Sequence, residues 1–445
     1  MARLLPCSAG TPVTCAPRIA RRLGTLSTNE TAAAVYSPKR VTAATRVTYG
    51  AFIGSGFAIA SWASRIPQVR QHLGLTPAAL GLVLLAMAAG SVIALPISGF
   101  IIHRLNTRRT VTVMAVLVAA ALSLVGAGYL IGVVAVVIGL FLFGFANGAW
   151  DVAMNVQGAD VEQHLGRSIM PRFHAGFSLG TVAGALLGAA MVALGVPVTA
   201  HLIAVAVVVV GAVPVMVRHF LPDAGPVTLT AEAEAGPDRV EVPRPSLLSR
   251  WREPRTLLVG LFVLAFAFSE GTGNDWIGVA LIDGRHTPPA VGTLGFAVFL
   301  SAMTAGRWTG PGLLDRYGRV VVVRVLALVA VIGLILFVFS PTIALAFPGA
   351  LLWGAGTSLG FPVGMSAAAD EPAAAAGRVS VVASIGYCAF LGGPPLIGFL
   401  GSHEGVLHAL TAVAVLLAIA TMLAGTVRPI SAPAAAEPEI QPTGR

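Results

Sequence analysis

From residue 46 to residue 427 the chain repeats one pattern, apolar runs about 20 residues long separated by short polar breaks. As a helix such a run crosses a hydrocarbon core of roughly 30 Å, whereas outer-membrane strands would be about half as long and would alternate. The pattern predicts an all-α membrane protein of twelve transmembrane helices, with spans near 46–64, 77–102, 110–129, 131–156, 172–194, 199–219, 255–282, 289–313, 320–340, 342–367, 379–400 and 405–427. It divides the chain into an N-terminal tail (1–45), a six-helix bundle (46–219), a linker (220–254) rich in Pro, Gly and mixed charge, a second six-helix bundle (255–427) and a C-terminal tail (428–445).

The two bundles are related by an internal repeat at an offset of 210 to 212 residues. TPAALG at 76–81 recurs as TPPAVG at 287–292, HRLNTRR at 103–109 corresponds to DRYGRVV at 315–321, and GFSLGTVAGALLG at 176–188 lines up with GYCAFLGGPPLIG at 386–398. Matches in register at several places point to duplication rather than to shared apolar bias. A parallel six-plus-six repeat implies a binding site between the halves, near the middle of the membrane.

Composition removes the soluble alternatives. The 445 residues are 56% hydrophobic and 11% charged, with a mean hydropathy of +0.85. A net charge of +9 would suggest nucleic acid in a soluble domain, but here the basic residues are sorted by loop. Arg104, Arg108, Arg109, Arg167, Arg172, Arg218, Arg239, Arg244, Arg250, Arg252, Arg255, Arg316, Arg319, Arg324 and Arg378 fall on one side, against Arg65, Arg70 and Arg285 on the other. Positive-inside sorting therefore places both termini and the linker in the cytoplasm, with no nucleic-acid partner. The first 45 residues are Arg-rich and carry one acid, Glu30. They read as a disordered cytosolic tail, although a transit peptide or a misassigned start would look the same. Cys7, Cys15 and Cys388 have no metal-ligand spacing, so neither a disulfide framework nor a zinc site follows.

Against this apolar background the polar residues inside spans stand out. In GFANGAWDVAMNVQ at 144–157, Asn147, Asp151 and Asn155 follow one another at intervals of four, one above the other on a helix. A carboxylate near a bilayer core costs roughly 2.5–3.5 kcal/mol on insertion scales, so it is kept only facing protein or a water-filled cavity. Asp151 is the first proton-coupling candidate, the alternative being a buried pair with Arg172 or His174. Asn147 and Asn155 offer amide donors and acceptors to a substrate, with Trp150 either a platform for a sugar ring or simple packing. In SEGTGNDW at 269–276, Glu270 is a second proton or substrate candidate, or else half of a buried ion pair, and Asn274, one turn on, is expected to orient substrate. Asp275 is expected in an outer gate; Arg65 is either its partner there or a snorkelling residue. Arg307 requires a partner, either Asp315 in a latch at the cytoplasmic end or an anionic substrate. His174 reads as a relay or a hydrogen-bonded structural residue. GFSLG at 176–180 matches a hydrolase motif but lies inside a span, and there is no Walker loop, so neither an enzyme nor an ATP-driven pump is expected, and no cofactor.

Asp315, Arg316, Gly318 and Arg319, with Pro311 in place of a glycine, resemble the loop motif G-x-L-a-D-R-x-G-R-R of the major facilitator superfamily. In the first half Gly99, Arg104, Arg108 and Arg109 fit, while His103 replaces the Asp and Asn106 the second Gly. The resemblance implies a gating role for Arg104, Arg108, Arg307, Asp315, Arg316 and Arg319. SWASRIPQVRQHLGL at 61–75, WDVAMN at 150–155 and FHAGFSLG at 173–180 look like the YbjJ-type branch, close to the fucose permeases. In those permeases a carboxylate stands where Asp151 falls and an Asn where Asn155 falls. Their span 1 Asp has no counterpart, since no acid lies between residues 46 and 70 here. The resemblance implies a monomeric secondary transporter in the cytoplasmic membrane, embedded in the lipid bilayer, moving a small polar organic solute by alternating access with a proton. The alternatives are an exporter of drugs or amphipathic metabolites and a transporter-like solute sensor.

Overall fold

At Asn106 the chain turns back on itself. In the computed structural model, which describes residues 36–167, 169–222, 247–371 and 374–430, the helix Pro77–Ile131 runs for 55 residues but is broken at Asn106, with φ 65° and ψ 166°. At 1.5 Å per residue an unbroken helix of that length would measure roughly 80 Å, far more than a bilayer core. It is therefore two antiparallel segments, α2 (77–105) and α3 (107–131). The others are α1 (Pro38–Ala63), α4 (Val133–Leu165), α5 (Met170–Ala193), α6 (Val198–Met216), α7 (Pro254–Arg285), α8 (Pro289–Tyr317), α9 (Arg319–Phe339), α10 (Ile343–Ala368, interrupted at Ser358 and Leu359), α11 (Ala375–Glu404) and α12 (Val406–Val427). Ten helices among the described residues are long and apolar enough to cross a membrane. The break at Asn106 divides one of them and α1 adds another segment, which brings the number to the twelve expected.

The element ends follow from local sequence. Thr76 caps α2 by accepting the Ala79 N–H at 3.2 Å, with Pro77 at the first helical position, and α4 stops at Gly166, whose φ of 62° suits a residue without Cβ. Several helices outrun their apolar runs. α1 starts at Pro38 rather than 46, α4 continues to Leu165 rather than 156, and α8 reaches Tyr317 rather than 313. Hydropathy marks where the lipid is, whereas helical hydrogen bonding continues into water until a cap ends it. Residues 1–35 of the tail, 223–246 of the linker and 431–445 lie outside the described residues.

Both sets of six helices start and end on one face. The Tyr36 hydroxyl donates to the Pro222 carbonyl at 3.3 Å, and Arg255 donates to the Arg428 carbonyl at 3.0 Å. We call this the terminal face. Within each set the helices pack backbone against backbone through glycine. A Cβ on Gly144 would stand 1.9 Å from the Met87 carbonyl oxygen, joining α4 to α2, and one on Gly180 would stand 2.1 Å from that of Ile53, joining α5 to α1. Between the sets α2 crosses α11 and α5 crosses α8. The α2–α11 crossing is equally bare, with Gly81 against the Pro394 carbonyl and Gly398 against the Pro77 carbonyl. Left-handed residues recur at the repeat offset, as Gly74 and His286, Asn106 and Gly318, and Gly195 and Gly405.

Candidate functional site

The seam between the two sets carries polar side chains from both sides. Asp151 is on α4, roughly 27 Å along it from Val133. It is part-buried and forms no ion pair among the described residues. Its companion is Asn155, whose amide donates to the Asp151 carbonyl oxygen at 2.8 Å and to its carboxylate at 3.3 Å. Tyr387 of α11, in the other half, is exposed and within Coulombic range of Asp151. Opposite, both carboxylate oxygens of Glu270 of α7 accept from Arg307 Nη2 of α8, at 2.8 Å each, with side chains 20% and 26% exposed. His174 of α5 is exposed, stacks edge-on against Phe52 of α1 at 5.2 Å, and feels the Arg307 charge from the other half. Asp151 and Tyr387, and likewise His174 and Arg307, are thus close enough across the seam to interact electrostatically.

At the face away from the termini the seam is shut. Arg70 pairs with Asp283, the Ala78 N–H donates to Ser402 Oγ at 3.0 Å, and Thr293 Oγ1 donates to the Ser64 carbonyl at 3.4 Å, each contact joining one half to the other. The structure is thus closed at that face, with the described polar contacts between halves gathered there.

The other expected site residues are distributed differently. Trp150 has no exposed surface and packs towards Gly54 of α1, so it is core and no ring platform. Asn147 is buried and accepts from Ser55 Oγ of α1 at 3.0 Å, tying α4 to α1 instead of facing the seam. Successive fourth residues advance about 40° round a helix, enough to turn the face from α1 at Asn147 to the seam at Asp151 and Asn155. Arg65 does not meet Asp275. It is buried, and its Nε donates to His201 Nδ1 of α6 at 2.9 Å, which rules out snorkelling as well. Asn274 and Asp275 instead line a small void against Ser64 and Pro67. Arg307 does not reach Asp315, which is exposed at the end of α8, because its own helix face turns it to Glu270. Asp151 pairs with neither Arg172 nor His174.

The loop-motif residues sit at the terminal face. Arg104 and Arg316 are exposed and lie over the Phe100 and Tyr317 rings at 5.1 and 5.2 Å, and Arg108 is exposed. Arg319 binds Asp370 at 2.5 Å and Ser366 Oγ at 3.0 Å, while Arg255 reaches the other oxygen of Asp370 at 3.0 Å. Nearby, Glu253 accepts from Arg378 at 2.7 Å, from Thr256 at 2.8 Å and from Arg250. Burial pushes its carboxyl up, but those hydrogen bonds outweigh it and set it at about 2. Neither Asp370, Glu253 nor Tyr387 was expected from sequence. The repeat carries one usable signal, since Tyr387 occupies in GYCAF the position of Phe177 in GFSLG. Elsewhere, a groove of about 510 Å³ against α8 and α10 is lined by apolar residues with Ser301, Thr309 and Ser358, and no charged residue lines it.

Comparison with known proteins identifies the family. The model of the Major Facilitator Superfamily matches residues 48–392. The chain is 33% identical over 350 residues to an uncharacterised transporter of Sinorhizobium fredii, covering 78% of this chain and 89% of that one. It is 31% identical over 369 residues to an uncharacterised MFS-type transporter of Yersinia pestis, covering 82% and 91%. Among solved structures, the nucleoside transporter NupG aligns with a TM-score of 0.66 at 15% identity, over 86% of this chain and 98% of that one. The E. coli fucose:proton symporter FucP aligns at 0.56 and 15%, over 86% and 98%. These last two likenesses speak for the fold. With residues 48–392 matched and two relatives named as transporters, the chain belongs to the major facilitator superfamily, as a multi-pass membrane transporter rather than an enzyme.

Proposed function

We propose that this protein carries a small polar organic solute across the cytoplasmic membrane by alternating access, with proton coupling at Asp151. The observation that carries the reading is a carboxyl with no cation partner among the described residues, at the seam of two bundles with Asn155 and Tyr387 close by. Such a group is tolerated within a membrane where it meets water and can cross as the neutral acid. Glu270 already has its charge matched by Arg307, so its part is to present, with Arg307, a polar fork to the solute, and the proton role falls to Asp151. Asn155 and, from the other half, Tyr387 supply donors and acceptors for hydroxyls. Fucose and nucleosides, the cargoes named for two proteins of the same fold, are rich in hydroxyls and agree with such a lining. Arginine sorting places the terminal face in the cytoplasm, so the closed face is the outer one and the seam opens inward. One chain contains the whole pathway, and a monomer suffices.

Purified protein in proteoliposomes, screened against sugars and nucleosides, tests the reading. An imposed pH gradient drives accumulation by the wild type. Asp151→Asn abolishes that accumulation but keeps exchange of labelled for unlabelled solute. Full pH-driven accumulation by Asp151→Asn would overturn the assignment.

A further inference from the structure

The closed face contains a small void that transport at the seam does not use. It measures about 10 Å³ and is lined by Ala63, Ser64 and Pro67 from one half and by Asn274, Asp275, Gly278, Thr293 and Phe296 from the other. That is the lower bound for one water, about 10–15 Å³. Ser64, Asn274, Asp275 and Thr293 give it a polar lining. Asn274 Oδ1 is buried and has no hydrogen-bond partner. Asp275 forms no ion pair among the described residues; Arg70 pairs with Asp283, and Arg65 donates through Nε to His201 while its buried Nη2 has no hydrogen-bond partner. The Thr293 hydroxyl proton has its better acceptor in the Pro289 carbonyl at 3.0 Å, which leaves the Ser64 carbonyl with a long contact of 3.4 Å. A water has two protons to donate, too few for a carboxylate, an amide oxygen and a main-chain carbonyl together. A hard cation matches all of them at once and neutralises the carboxylate.

We propose that this void is a sodium site that joins the two halves at their closed face, with Asp275 as its charged ligand and Asn274, Thr293 and Ser64 as neutral ones. Because ligands come from both halves, the ion binds the closed arrangement better than one in which this face has opened. Sodium then shifts the population towards closure by its difference in affinity for the two. The site is separate from Asp151, and its test reads binding rather than flux.

The unfolding temperature of the detergent-purified protein is measured at fixed pH in sodium, potassium and choline chloride of equal ionic strength. A saturable rise in sodium, absent in choline, is expected for the wild type and disappears in Asp275→Asn. Thr293→Val keeps the side-chain shape and loses one oxygen, and it raises the half-maximal sodium concentration about tenfold or more, which keeps the test sharp should Asp275→Asn not fold. Equal unfolding temperatures in sodium and choline, or a sodium rise that survives in Asp275→Asn, would overturn the proposal. So would an Asp275-dependent rise on acidification in choline that matches the sodium effect, since the void would then contain a proton.

Discussion

Glu270 and Arg307 lend themselves to a double-mutant cycle. Both are about a fifth to a quarter exposed, and the guanidinium bonds both carboxylate oxygens at 2.8 Å. Breaking a fully buried pair by removing one partner costs about 3–5 kcal/mol, because the other charge is left uncompensated. Solvent reaches part of this pair, so each of Glu270→Gln and Arg307→Met should cost about 2 kcal/mol. The double variant leaves no stranded charge. Its cost should be near that of either single change, giving a coupling of about 2 kcal/mol, within the range found for residues in contact. Unfolding free energies in detergent micelles measure all four corners of the cycle. Asp315→Asn supplies the control, since Asp315 is the partner that chain proximity suggests for Arg307 and the structure places it apart, so Asp315→Asn and Arg307→Met should simply add. Single costs for Glu270→Gln and Arg307→Met that add to within about 0.5 kcal/mol would refute the pairing.

Gly144→Ala puts a methyl 1.9 Å from a main-chain oxygen and should destabilise the fold by about 2 kcal/mol or more, while Gly99→Ala meets nothing within 4 Å and should not; thermal unfolding of the two separates them. Asn106 has a glycine-type backbone at φ 65° and ψ 166°, a strain of roughly 1–3 kcal/mol, and its Oδ1 accepts the Arg109 N–H at 2.9 Å, a cap that glycine replaces at a cost of a few tenths. Asn106→Gly should therefore raise the unfolding temperature. Glu253, set at about 2, contributes stability that is fully present above the usual carboxylate value of about 4.3 and is lost as pH falls through about 2, so Glu253→Gln should flatten the acid side of the stability profile. Charge reversal at Arg70→Asp should weaken closure of the face away from the termini, and adding Asp283→Arg should restore it, read as accessibility of a cysteine placed at the seam.

The spans and the repeat were legible because both rest on one-dimensional quantities, the length of an apolar run and the spacing of matched segments. The same counting put Asp151 in the inner half of its span and Glu270 near mid-depth. What it could not supply was the rotation of each helix about its axis. A single residue step is about 100°, which is why Trp150, beside Asp151 in the chain, faces α1 instead of the seam. Arg307 was matched to Asp315 by nearness along one helix, yet its partner is 37 residues away on another. Arg65 and His201 are 136 residues apart, and no periodicity links them.

Where α2 meets α11, main chain lies on main chain at Gly81 and Gly398, close to the closed face. Nothing compressible separates the two rods, so their contact acts as a fixed fulcrum. From Gly81 to the turn at Asn106 is a lever of roughly 36 Å, and a swing of about 10° displaces its far tip by roughly 6 Å, the breadth of a single sugar ring. A modest tilt is thus enough to admit or release cargo, and a methyl wedge at either glycine would bias the direction in which the molecule rests.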